Sequence, residues 1–390
     1  MPSRTRRLRA LYLTHHAPWP VTSGGRLRDA ALVPRLAQGA DLEVWAVSRQ
    51  GDEDRAAVAD HADGTVVRVF DDESTRHPYP TRDSWVARRS LARAAAEQPG
   101  FDVVHVEGHY LFHLLPEQLA RRSVVVEHNV ESHLIEQRMG LGAQSPQLLQ
   151  DLATVRASEE HVWRTARLVL TLSDEDMRRV STRVPEARVR RGMNGADHVP
   201  AYPAQPRNHS ALLETAPRIC FLANFAYLPN QDALDWLIRS IFPRIQSYIP
   251  GAELLLAGSG SKEALQKYGS PMGVRALGWI DDLSDVWSTA DVMVSPLRIG
   301  GGVKVKMIES IRGGCLTVAT TLSMEGLPRA ADSAVVVRDD PDEFVEGVVS
   351  LCKDDDFRAQ RAASLHRVQK ALPSWSDAAA DLVSHWSTIH

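Results

Sequence analysis

The sequence predicts an α/β protein with two doubly wound, Rossmann-like domains. Three observations carry this. The chain has 390 residues, more than one hydrophobic core usually supports. Short β-branched, apolar runs alternate with segments of helix-forming length, the signature of a parallel sheet with helices on both faces. That alternation lapses once, around Pro200, Pro203 and Pro206, and then resumes. Two such sheets joined by a linker place a ligand crevice at the carboxyl ends of their strands, so the site is expected between the domains.

The elements follow in order. Strands are expected at Leu8–Thr14, Leu42–Val47, Thr65–Phe70, Val103–Val106, Val124–Glu127 and Leu168–Leu172. After the linker they resume at Ile219–Leu222, Leu254–Ala257, Val274–Trp279, Val292–Ser295, Leu316–Ala319 and Val335–Val337. The boundaries are therefore 1–198, a linker at 199–216, 217–372, and a last segment at 373–390. That last segment reads as a helix, with Ser376 as its N-cap.

Composition narrows the function. Hydrophobic content of 44%, charged content of 24% and a net charge of −4 suit a globular protein and argue against a nucleic-acid partner. Cys220, Cys315 and Cys352 are far apart with no Cys-x-x-Cys, so neither a disulfide framework nor a zinc knuckle is indicated, and a reducing cytoplasm fits. Arg4, Arg6, Arg7 and Arg9 mimic a signal-peptide start, but only Ala10 to Leu13 follow as an apolar run. No stretch approaches the roughly 18 apolar residues of a span, so any membrane contact is expected to be peripheral. A basic face of Arg88, Arg89, Arg93, Arg121 and Arg122 fits an anionic lipid carrier less well than it fits a solvated helix face and an ordinary surface loop.

The most informative segment is Ser295-Pro-Leu-Arg-Ile-Gly-Gly-Gly-Val-Lys-Val-Lys-Met-Ile-Glu309. Gly300, Gly301 and Gly302 let backbone approach an anion, and the following helix turns its free N–H groups toward it. Lys304 and Lys306 add mobile positive charge, and Glu309 suits a pair of sugar hydroxyls rather than a phosphate. Near the N-terminus, Gly24 and Gly25 follow the first strand in a long loop ending in Arg26 and Arg28, fit to hold an anion, admit an acceptor or simply turn. Glu107-Gly-His109 and Glu127-His-Asn129 end the fourth and fifth strands. His109 and His113 are four apart, but no third ligand accompanies them, so no metal site is expected. Gly258-Ser-Gly260 lacks a third glycine at position 263, where Glu263 stands, which argues against a nicotinamide dehydrogenase.

In order and spacing the chain resembles the retaining glycosyltransferase family 4 of the GT-B fold, over nearly its whole length. The carriers are Gly24-Gly-Arg26, Glu127-His-Asn-Val-Glu-Ser132, Asn194-Gly-Ala-Asp197, Pro229-Asn-Gln-Asp-Ala-Leu234 and Leu256-Ala-Gly-Ser-Gly260. Leu277-Gly-Trp-Ile280, Ala290-Asp291 through Pro296, the Gly300–Glu309 segment, Gly314-Cys-Leu-Thr-Val-Ala-Thr320 and Glu325-Gly-Leu327 complete the set. The resemblance implies a C-terminal domain that holds a nucleotide sugar, an N-terminal domain that holds the acceptor, and a last helix crossing back onto the N-terminal domain. Glu309 matches the family's ribose-binding glutamate. The position eight residues earlier, usually a glutamate that meets the donor sugar, is Gly301, which points to a Gly-Gly-Gly-containing branch.

The same resemblance assigns the remaining roles. Trp279 and Ile280 contact the base, and Ser295, Arg298 and Glu325 line the donor side. Gly24, Gly25, Arg26, Glu107, His109 and Asn129 line the acceptor side, and His128 orients donor or acceptor hydroxyls. Many relatives carry an arginine and a lysine at the start of the C-terminal domain. Phe221 to Asn230 has neither, so Lys306 is favoured to meet the charge of the departing diphosphate. The expected activity is transfer from a uridine or guanosine diphosphate sugar to an acceptor hydroxyl, without metal or other cofactor, by front-face attack. A sugar-nucleotide 2-epimerase of the same fold and a non-catalytic sugar-nucleotide-binding partner of another transferase are the alternatives. The acceptor and the oligomeric state are not legible.

Overall fold

The computed structural model describes residues 7–48, 50–71, 89–98, 100–143, 145–203 and 216–389. Arg88 of the basic face and most of the expected linker lie outside them. The chain divides into two compact units, Met1–Gly195 with Pro373–His390, and Ala196–Leu372.

Among its described residues the first unit holds seven strands, β1 (Arg9–Thr14), β2 (Asp41–Ser48), β3 (Val66–Asp71), β4 (Val103–Glu107), β5 (Ser123–Glu127), β6 (Leu168–Thr171) and β7 (Val189–Arg191). They lie in the order β3-β2-β1-β4-β5-β6-β7, with all pairs parallel. Six were expected; β7, three residues long and mostly cationic, carries too little apolar pattern to read. Leu11, Leu13, Val104, Val106, Val125 and Val169 form the core on one face of this sheet. The order reverses between β1 and β4, so the crevice of this unit opens beyond Thr14 and Glu107.

The last helix, Trp375–Ile389, belongs to this first unit and packs on the helix Gly24–Gly39. Trp386 is fully buried, with its indole Nε1 3.3 Å from His105 Nδ1. A Cβ on Gly195 would fall 2.3 Å from the Trp375 nitrogen, so the chain crosses there only without a side chain. The cap of this helix is Ser374, not Ser376. Ser374 Oγ accepts from Asp377 N at 3.1 Å, and Asp377 accepts in return from Ser374 N at 2.8 Å.

Among its described residues the second unit has six strands, β8 (Arg218–Leu222), β9 (Glu253–Ala257), β10 (Val274–Gly278), β11 (Val292–Ser295), β12 (Thr317–Ala319) and β13 (Val336–Val337). Their order is β10-β9-β8-β11-β12-β13, again all parallel. Its core is built on Ile219, Phe221, Leu254, Leu256, Val292, Val294 and Val318. Reversal between β8 and β11 puts this crevice beyond Leu222 and Ser295, where the glycine segment begins. The residues before the undescribed stretch pack on this unit: Tyr202 N donates to Arg312 O at 2.8 Å and Arg312 Nε to Val199 O at 2.9 Å.

Candidate active site

In the second unit the chain leaves β11, passes Gly300–Gly302 and enters the helix Val305–Arg312. Gly300 (φ 148°) and Gly302 (φ 59°) adopt left-handed backbone that a side chain disfavours, which explains glycine at both positions. The two lysines take different roles. Lys304 is buried; its Nζ donates to Gly302 O at 2.9 Å and lies 3.1 Å from Glu325 Oε2. It is a strut beneath the loop rather than the mobile cation expected from sequence. Lys306 is half-buried and donates to Asn230 Oδ1 at 2.7 Å, with its Nζ 4.8 Å from the centre of the Phe221 ring. Burial, with Lys304 nearby, pushes its pKa down to about 7, and Glu309 opposes that shift.

The charge of Lys306 is thus disfavoured by its surroundings, and an anion bound beside it would restore that charge. At pH 8 the free lysine is mostly neutral, so nucleoside diphosphate binding is expected to take up close to one proton. Calorimetry in buffers of different ionisation enthalpy reads this directly. A wild-type slope near zero would remove Lys306 from the anion site.

Glu309, three residues along the same helix, is 3.5 Å from His198 Nε2. Arg298 is not available to an anion as expected: its guanidinium grips Asp232 at 3.0 and 2.6 Å and lies over the Trp236 ring. Ser295 is also displaced from the expected role, being buried with its Oγ donating to Ser323 Oγ at 3.0 Å. Glu325 directly follows the short helix Thr321–Met324, whose N-cap Thr320 accepts from Ser323 N. Trp279 is exposed beyond β10, with Nε1 donating to Asp281 at 2.8 Å, while Ile280 is half-buried against the core. Asn230 and His198 were missed. Each acts through a partner at least 76 residues away in sequence, or on a loop without local pattern.

In the first unit, Glu107 ends β4 fully buried. It accepts from Tyr12 Oη at 3.0 Å and from Arg28 Nε at 3.2 Å, and lies 2.9 Å from His105 Nε2 and 2.6 Å from His128 Nε2. Burial alone would raise its pKa; Arg28 and His128, with the histidine contacts, outweigh this and hold it well below the carboxylate range. Arg28 also donates to Met193 O at 2.8 Å. Beside this hub, Asp29 accepts from Tyr12 Oη at 2.8 Å and Thr14 Oγ1 at 2.6 Å and sits 3.1 Å from His16 Nε2. His15 and His16 carry no spacing that marks them, and only the end of β1 brings them here.

Gly25 lies against the His16 ring, 2.8 Å from an added Cβ, which is why no side chain fits there. Gly24 opens the helix, with Ser23 as its cap. Arg26 departs from expectation. It is buried and donates to Asp54 Oδ1 at 2.8 Å and toward the Trp19 and Pro20 carbonyls, so its charge is already matched. His109 Nδ1 lies 2.8 Å from Glu127, and that carboxylate, backed by Glu159 and Glu131, overcomes burial to raise the histidine pKa to about 9. His109 and His113 fall on a 3-10 turn, His109–Leu114, where residues four apart do not share a face. Asn129 Nδ2 donates to Glu131 at 3.3 Å.

Residues 216–354 match the family model described as Glycosyl transferases group 1. An uncharacterized 44.6 kDa protein in the cps region of Klebsiella pneumoniae is 24% identical over 144 residues, 35% of this chain and 37% of that protein. The chain therefore matches little more than a third of that relative's length. Among solved structures, sucrose-phosphate synthase from Thermosynechococcus elongatus superposes with a TM-score of 0.67 at 15% identity, covering 98% of this chain and 99% of that one. Anabaena HepE, in complex with UDP and glucose, superposes at 0.69 with 13% identity, covering 97% and 100%. No helix among the described residues is long and apolar enough to cross a membrane. The chain thus has the two parallel-sheet α/β units of the GT-B fold, and residues 216–354 of its second unit are similar to group 1 glycosyl transferases.

Proposed function

We propose that the protein is a retaining glycosyltransferase of family 4, moving a sugar from a uridine or guanosine diphosphate sugar to an acceptor hydroxyl. The observation that carries this is the glycine loop Gly300–Gly302 leading into a helix whose Lys306 is desolvated at its head and whose Glu309 follows one turn on. Loop and helix amides with Lys306 meet the diphosphate, and Glu309 accepts the ribose hydroxyls. The bond from the anomeric carbon to the diphosphate breaks as the acceptor oxygen bonds to the same face. The acceptor proton passes to the departing phosphate oxygen, and the nucleoside diphosphate leaves. This route requires no metal. The acceptor is held by the first unit, with His128 on the Glu107 hub as its orienting group, and the reaction belongs in the cytoplasm. Support comes from the family segment and from the UDP complex of the similarly folded HepE.

Thermal stabilisation by uridine, guanosine, adenosine and thymidine diphosphates and their common sugars, without metal, tests the donor reading. A shift for one base is expected. Glu309→Ala should weaken that nucleotide by about 10- to 100-fold, the worth of a hydrogen bond to a charged group, with its own melting temperature little changed. Unchanged affinity would exclude Glu309 from the site.

A further inference from the structure

The glycine loop offers no side chain to read a sugar, yet a carboxylate is tied to it from outside. Lys304 folds its stem back under the loop, with its Cε 3.8 Å from where a Gly300 Cβ would stand, and its Nζ bridges Gly302 O and Glu325 Oε2. The turn that bears Glu325 is fixed to the start of the same loop by three hydrogen bonds. Thr320 Oγ1 donates to Leu297 O at 2.6 Å, Ser323 Oγ to Ser295 O at 2.7 Å, and Ser295 Oγ to Ser323 Oγ at 3.0 Å. This explains the burial of Ser295: it positions the turn. Of the other nearby acids, Asp232 is held by Arg298 and Asp339 by Thr321, while Glu309 is the group proposed above for the ribose. Through Lys304 the Glu325 carboxylate, whose oxygens accept hydrogen bonds, is fixed beside the loop.

We propose that Glu325, held by Lys304 against the glycine loop, is the carboxylate that accepts hydroxyls of the donor's glycosyl group, taking the place of a side chain at 301. The inference rests on the nucleotide-sugar reading above. Such a site ranks donors by their hydroxyl pattern and contributes nothing to the affinity for the nucleotide alone, because the sugar is the part that reaches it.

The test compares dissociation constants of wild type and Glu325→Gln for two pairs, UDP with UDP-glucose and GDP with GDP-mannose. In the pair that wild type binds, the variant is expected to keep its affinity for the diphosphate within about twofold and to lose about 10- to 100-fold for the sugar nucleotide. Equal weakening of both, or of neither, overturns the assignment. Failure of wild type to bind either pair overturns the donor reading itself, and this inference with it. Should Glu325→Gln fail to fold with Lys304 left unmatched, the Lys304→Met/Glu325→Gln double variant removes both charges together, and the same ratio is read on it.

Discussion

Lys306→Met is expected to lower turnover by about two to three orders of magnitude, the usual cost of deleting one preorganised electrostatic group, while its melting temperature stays level or rises. The two halves of this result have one cause. The ammonium is desolvated far enough to bring its pKa to about 7, so the folded state disfavours the charge. A lysine whose folded pKa is lowered binds fewer protons folded than unfolded between that value and about 10. Stability therefore rises with pH through that window, and below it the full cost is borne. Methionine of similar length removes the cost and loses the bond to Asn230. Steady-state kinetics beside a melting curve at pH 7 decides it: near wild-type kcat would refute the assignment of Lys306, and parallel loss of activity and stability would make it a structural residue.

Glu107→Ala is expected to destabilise the protein by about 3–5 kcal/mol, since it strands Arg28 without its carboxylate in a buried site. Denaturant unfolding followed by a probe in the first unit measures this. The pH dependence has a definite sign. Glu107 is held well below its ordinary pKa, so its contribution is present above about 4.5 and is lost as pH falls toward the folded value. Acid unfolding of wild type should thus be steeper than that of Glu107→Gln. A variant as stable as wild type at pH 7 would mean that the hub is dispensable to the fold and that Glu107 is kept for ligand binding alone.

The periodicity of the sequence was sufficient for twelve of the thirteen strands among the described residues because each central strand buries both faces and must be apolar along its length, as Val103–Val106 and Val292–Ser295 are. The glycine segment was legible for a local reason as well: consecutive glycines before a helix with cations constrain backbone and charge within a few residues. Residue roles within the site were less so. Arg26 and Arg28 stand two apart at one helix start, yet one closes on Asp54 and the other on Glu107. Lys304 and Lys306 are equally alike in sequence, yet one became the strut of a buried pair and the other a desolvated cation.

What the sequence by itself determined is the alternation of strand and helix, the two sheets, and the glycine loop before a helix that carries cations, since these rest on interactions between near neighbours. What only the tertiary structure decided is which charge is matched by a carboxylate and which is left desolvated without one. That outcome depends on partners 28 residues away for Arg26, 79 for Arg28, 21 for Lys304 and 76 for Lys306. It also depends on how far each group is drawn from water, a property of the packed fold rather than of any stretch of chain.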